Sequence, residues 1–135
     1  RGFRARYVEH GDFEQEGGAA AMARLLDRVP DLDAVFVASD LMALGALAEL
    51  RRRGRRVPDD VAVVGFDDIA MAALAEPPLT TLRQRTVDQG RLMVRLYLSR
   101  HRPELLAADP DGTLPDVTET DRVVLPVDLV VRDSA

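Results

Sequence analysis

Two short apolar runs limit what this chain can fold into. Residues 34–38, AVFVA, and 61–66, VAVVGF, are rich in strand-forming residues, too short for helices, and preceded by the turn texts PDLD and VPDD. Continuous apolar text of this length predicts strands buried on both faces, as in a parallel sheet. Helical spacing surrounds them. Ala21, Met22, Leu25, Leu26 and Val29 recur on one helical face before Pro30, and LMALGALAELRRRG follows Ser39 and Asp40. Either polar residue suits a helix N-cap, and Gly54 suits the end. Beyond the second run, IAMAALA reads as a short helix, and Pro77–Pro78 forces an extended entry to a strand at about 79–83. Residues 86–100 are again helical in pattern, closed by Pro103. RYVEH at 6–10 is a weaker strand candidate, and the tail RVVLPVDLVVRDSA has strand composition broken at Pro126. Strands alternating with helices predict an α/β fold: a parallel sheet with right-handed crossovers, flanked by helices on both faces.

The length of 135 residues fits one core. Residues 107–120 are acidic, proline-bearing and nearly free of large apolar side chains, which predicts an exposed, flexible loop. No apolar run approaches the roughly 18 residues of a transmembrane helix. Cysteine is absent, which excludes disulfides, thiolate metal sites and cysteine nucleophiles, and suits a reducing cytoplasm. All 18 basic residues are arginine and the net charge is −5, so the chain lacks both a catalytic amine and the basic surface of a nucleic-acid binder. The run RRRGRR at 51–56 reads as a solvated helix C-terminus, where positive charge complements the dipole.

In open α/β sheets, ligands bind beyond the carboxyl ends of the strands. That rule selects Gly11, Asp12 and Phe13; Ser39 and Asp40; Asp67 and Asp68; Arg83 and Gln84. Carboxylates, an aromatic ring, a hydroxyl and an amide suit a neutral polyhydroxylated ligand, a sugar or a nucleoside. Structural alternatives stand beside each assignment. Ser39 or Asp40 caps a helix, Phe13 is a core aromatic, Asp12 or Asp68 caps a short helix, and Gln84 pairs with backbone. No nucleophile elbow, phosphate loop or metal-ligand spacing occurs; His10 and His101 are isolated, and a receiver domain would need a lysine. Neither a catalytic residue nor a metal or cofactor site is therefore expected. Leu41, Met42, Leu44, Ala46, Leu47, Ala48 and Leu50 surround one helix, leaving Glu49 as its only charge after the cap. A helix apolar all round must be buried on two sides.

Four blocks, HGDFEQEGG, DAVFVASDLMALGALAELRRRGRRVPDDVAVVGFDD, EPPLTTLRQ and VVLPVDLVVRDS, resemble in order the C-terminal part of the ligand-sensing core of LacI/GalR-family transcriptional regulators. The resemblance implies a periplasmic-binding-protein-like C-terminal lobe spanning residues 1–135, with a second lobe and an N-terminal helix-turn-helix outside it. It implies a cytoplasmic homodimer whose affinity for operator DNA, contacted only by that N-terminal domain, changes when a sugar, nucleoside or purine effector binds. Carried over residue by residue, it places Phe13, Ser39, Asp67 and Gln84 at the effector; for the second covered side of the apolar helix it suggests a dimer partner, with Leu41, Leu44, Ala48 and Leu74 as the candidate contacts and a loop or helix of the same chain as the alternative. Ser39 departs from the asparagine common there, the arginine of the R-x-x-G-F motif would lie upstream of Arg1, and the stretch between Phe3 and Gly11 is short for the family. Asp68 is expected to cap the helix beginning at Ile69. A solute-binding protein of a sugar transporter is the alternative with the same fold.

Overall fold

A computed structural model describes residues 7–105 and 123–135. The expected loop at 107–120 and the first residue of the RYVEH segment lie outside these. Two compact units emerge: one comprises the residues through Gln84 with Asp128–Ala135, the other Arg85–Val127.

The first unit carries α1 (Gln15–Arg28), β1 (Ala34–Phe36), α2 (Asp40–Arg52), β2 (Ala62–Asp67), α3 (Ala70–Leu74), β3 (Thr80–Arg83) and β4 (Asp128–Val130). The sheet runs β1-β2-β3-β4, with β1, β2 and β3 parallel and β4 antiparallel at the far edge. Helix α2 supplies Ala43, Ala46, Leu47 and Leu50 to a core with Val61, Val63 and Leu79, joined by Met22 and Leu26 of α1 and Ala72 of α3. Complete burial of Leu50, Val61, Val63 and Leu79 contributes about 2 kcal/mol for each side chain. The two long helices pack closely because Gly45 has no side chain: a Cβ there would stand 1.9 Å from the carbonyl oxygen of Gln15.

Two expectations need correction. The run at 34–38 is not buried on both faces; Ala34 and Phe36 are exposed, because β1 is an edge strand whose one partner among the described residues is β2. Residues 7–10 form no strand. Their polar groups go to α1 instead: Arg24 donates to the Glu9 carboxylate at 2.9 Å and to the His10 carbonyl at 2.9 Å, and Arg28 donates to the Val8 carbonyl at 3.1 Å. Helix α2 is buried on two sides, by the sheet and by α1, and Glu49 is buried too and takes hydrogen bonds from Arg52 and Arg53.

The C-terminal segment latches the sheet. The Ser134 hydroxyl donates to the Val63 carbonyl at 2.6 Å and accepts from the Thr80 backbone N–H at 2.8 Å, while the Ser134 carbonyl accepts from the Val63 N–H. In the second unit, α4 (Thr86–His101) is followed by a 3-10 turn at Pro103–Leu105. The last turn of α4 carries Arg100, whose positive charge complements the helix dipole. No described helix is long and apolar enough to cross a membrane.

Candidate functional site

The carboxyl ends of the three parallel strands deliver polar residues to one edge of the sheet. Beyond β1, Ser39 caps α2, its oxygen accepting from the Met42 backbone N–H at 3.3 Å. Asp40 follows and is fully buried, accepting from the Thr81 hydroxyl at 2.6 Å and from the Ile69 backbone N–H at 2.9 Å. Gly65 makes room for it, since a Cβ at that position would lie 2.2 Å from an Asp40 carboxylate oxygen. Asp40 is thus an internal bracket joining the starts of α2 and α3 to β3. Ser39 takes the cap role, with its acceptor oxygen engaged there and its side chain buried.

β2 ends at Asp67, whose register partner on β3 is Arg83. Asp67 has φ +116° and Asp68 φ +58°, two successive residues on the positive side that L side chains disfavour. Each such residue costs on the order of 1–3 kcal/mol and persists only where its surroundings impose it. The surroundings here are the ends of β3 and β4. Gln84 donates its side-chain amide to the Asp67 carboxylate. Arg83 donates to one Asp68 oxygen at 2.6 Å and Arg132 to the other at 2.6 Å. Burial alone would raise the Asp68 pKa, but the hydrogen bonds from Arg132 and Arg83 outweigh it and hold the carboxyl below its ordinary range. Asp68 therefore does not cap α3; Ile69 stands at that cap without a side-chain bond, and its N–H belongs to Asp40. The short helix needs no second carboxylate, while two guanidinium groups do.

Phe13 is 64% exposed with φ +66°, so it is not a core aromatic. Asp12, beside it, accepts from the Glu14 N–H at 3.0 Å. Gly11 lies against Met42 in the first turn of α2, which puts the Phe13 loop at the same end of the sheet as Ser39. Gln84 pairs with a side chain, not with backbone alone. Among the described residues no group of three or more His, Cys, Asp or Glu side chains is placed to hold a metal ion.

A cavity of about 880 Å³ lies between α1 and β1, and its lining includes Tyr7, Met22, Leu25, Val35 and Phe36. Its carboxylates, Glu9, Asp31 and Asp33, are not accompanied by the Asp67–Gln84 pair, so the chemistry favours the strand ends.

The expected dimer residues are accessible. Leu74 is 83% exposed and Ala48 exposed, while Leu41 and Leu44 are half-buried on α2.

Comparison with known proteins matches residues 2–135 to the periplasmic binding protein-like domain. The transcriptional regulator CelR of Thermobifida fusca is 51% identical over 127 residues, 94% of this chain and 34% of that protein. The repressor CytR of Escherichia coli K12 is 43% identical over 95 residues, 70% of this chain and 28% of that protein. A solved CelR–cellobiose complex superposes with a TM-score of 0.84 at 48% identity, covering 99% of this chain and 37% of that one. The chain thus spans about a third of the length of the curated relatives it matches. It belongs to the periplasmic binding protein-like domain family, in the form carried by the LacI-type transcriptional regulators.

Proposed function

We propose that this chain is the effector-sensing and dimerisation part of a cytoplasmic LacI-type regulator and that it performs no catalysis. The observation that carries the reading is the Asp67–Gln84 pair at the carboxyl edge of the sheet, with exposed Phe13 at the same end. Asp67 accepts hydrogen bonds from ligand hydroxyls, Gln84 orients it and offers its own amide, and Phe13 lies against an apolar ring face. Ser39 is assigned to the effector through its hydroxyl proton, its oxygen already serving the α2 cap. The effector is sugar-like, and cellobiose is the first candidate because a similar regulator is solved with it; nucleosides and purines are the second class. Transport proteins share the fold, but the relatives found are regulators, which favours the regulatory reading.

The effector acts by differential affinity: it shifts the dimer between two lobe arrangements only to the extent that it binds one more tightly. Leu41, Leu44, Ala48 and Leu74 form the dimer contact, and operator DNA is met by a helix-turn-helix domain. The test is a thermal-shift panel of cellobiose, other disaccharides, nucleosides and purines on the full-length protein. A ligand at a hundredfold excess over its Kd stabilises by about 2.7 kcal/mol, on the order of 5–10 °C. Asp67→Ala abolishes that shift while leaving the unliganded melting temperature within about 2 °C. An undiminished shift would remove Asp67 from the pocket.

A further inference from the structure

We propose that Asp68 is a positioning residue for the effector site: clamped between Arg83 and Arg132, it fixes the turn that aims the Asp67 carboxylate. The inference rests on the reading of Asp67 as the ligand-bonding carboxylate and extends it to a residue that does not touch ligand.

The β2 ladder ends at Asp67, so beyond that residue no sheet pairing holds the backbone. Both Asp67 and Asp68 nevertheless adopt positive φ, which demands an outside restraint. The Asp68 side chain provides it, being 8% exposed and hydrogen-bonded through both oxygens to guanidinium groups from two different segments. Arg132 is itself fixed. It donates to the Leu79 carbonyl at 2.7 Å, and its backbone N–H donates to the Thr80 hydroxyl at 2.9 Å. Adjacent residues at the end of β3 thus hold adjacent carboxylates, Arg83 on Asp68 and Gln84 on Asp67. An Asp68 without its charge releases both arginines, the turn relaxes, and Asp67 loses both its direction and its contact with Gln84.

The experiment uses the full-length protein as wild type, Asp67→Asn, Asp68→Asn and the double variant, with selective 15N-glutamine labelling. The Gln84 side-chain amide, assigned by its loss in Gln84→Met, reports the contact with Asp67 without any ligand. Asp68→Asn is expected to move that amide toward the position of a solvent-exposed glutamine, as Asp67→Asn does. It should also raise the Kd for cellobiose about tenfold in the wild type and less than about twofold in the Asp67→Asn background. An unmoved amide, or an equal loss of affinity in both backgrounds, would overturn the proposal, because a merely structural role weakens both alike. If Asp68→Asn does not fold, Arg83→Gln removes only the exposed half of the clamp, and it must move the amide in the same direction or the idea fails. Should the amide move while Asp67→Asn, or the wild type itself, shows no change or no binding with cellobiose, the positioning stands and the ligand assignment falls.

Discussion

Asp40 is wholly buried, and its two oxygens are the meeting point of three elements. Thr81 and the Ile69 N–H satisfy it, and the missing side chain of Gly65 lets it approach the sheet. Thr81→Val keeps the volume but removes a hydroxyl donor from a buried carboxylate, a loss of about 2 kcal/mol. Urea unfolding should show a lower midpoint with an unchanged slope, and an unchanged midpoint would mean that the bracket is idle. Residues of this kind were only partly legible in the text. Asp67 and Gln84 follow from the rule about strand ends, because that rule needs only element order. The work of Asp68 does not follow, since its partners lie 15 and 64 positions away and only the assembled sheet brings them together. Likewise, Ser39 and Asp40 compete as caps in the sequence, and what separates them is Thr81, 41 positions from Asp40.

Helix α2 shows how an element's chemistry differs from its apolar count. Glu49 is enclosed by Arg52 and Arg53, and Arg53 also reaches Asp27 of α1 at 2.6 Å, so one ion network ties the two helices. The hydrogen bond from Arg52 leads in lowering the Glu49 pKa from 4.5 to about 2, with burial opposing it and Arg53 assisting. A carboxylate whose folded pKa is depressed stabilises fully above its unfolded value and loses that contribution as pH falls through the folded one. Stability should therefore decline between about pH 5 and pH 2, and Glu49→Gln should flatten that decline by ~1 kcal/mol, after solvent screening of the arginines is allowed for. Equilibrium urea melts at stepwise lower pH check this; equal slopes in variant and wild type would exclude Glu49. Element boundaries of the helices were readable because periodicity and proline placement are local. The RYVEH segment misled because its strand composition says nothing of Arg24 and Arg28, which claim its polar groups from a neighbouring helix.

For the whole molecule, the parallel sheet and its helices were legible from alternation, whereas the antiparallel β4 was not, because strand direction is set by the path of the intervening chain. Dimerisation belongs to this scale. Leu44, half-buried on α2 near exposed Ala48, should tolerate no charge if it meets a second copy. On the proposed dimer contact, Leu44→Asp is expected to yield monomer in sedimentation velocity of the full-length protein at micromolar concentration, with the fold retained by circular dichroism. A persistent dimer would move the interface elsewhere. The acidic balance of −5 offers no general attraction for a phosphate backbone, as the proposed division of labour requires. The edge of β1 that has no partner strand among the described residues bears on the same molecule in a different way. An exposed strand edge is a template for pairing, so the three residues of backbone at Ala34–Phe36 are where a further strand would extend this sheet.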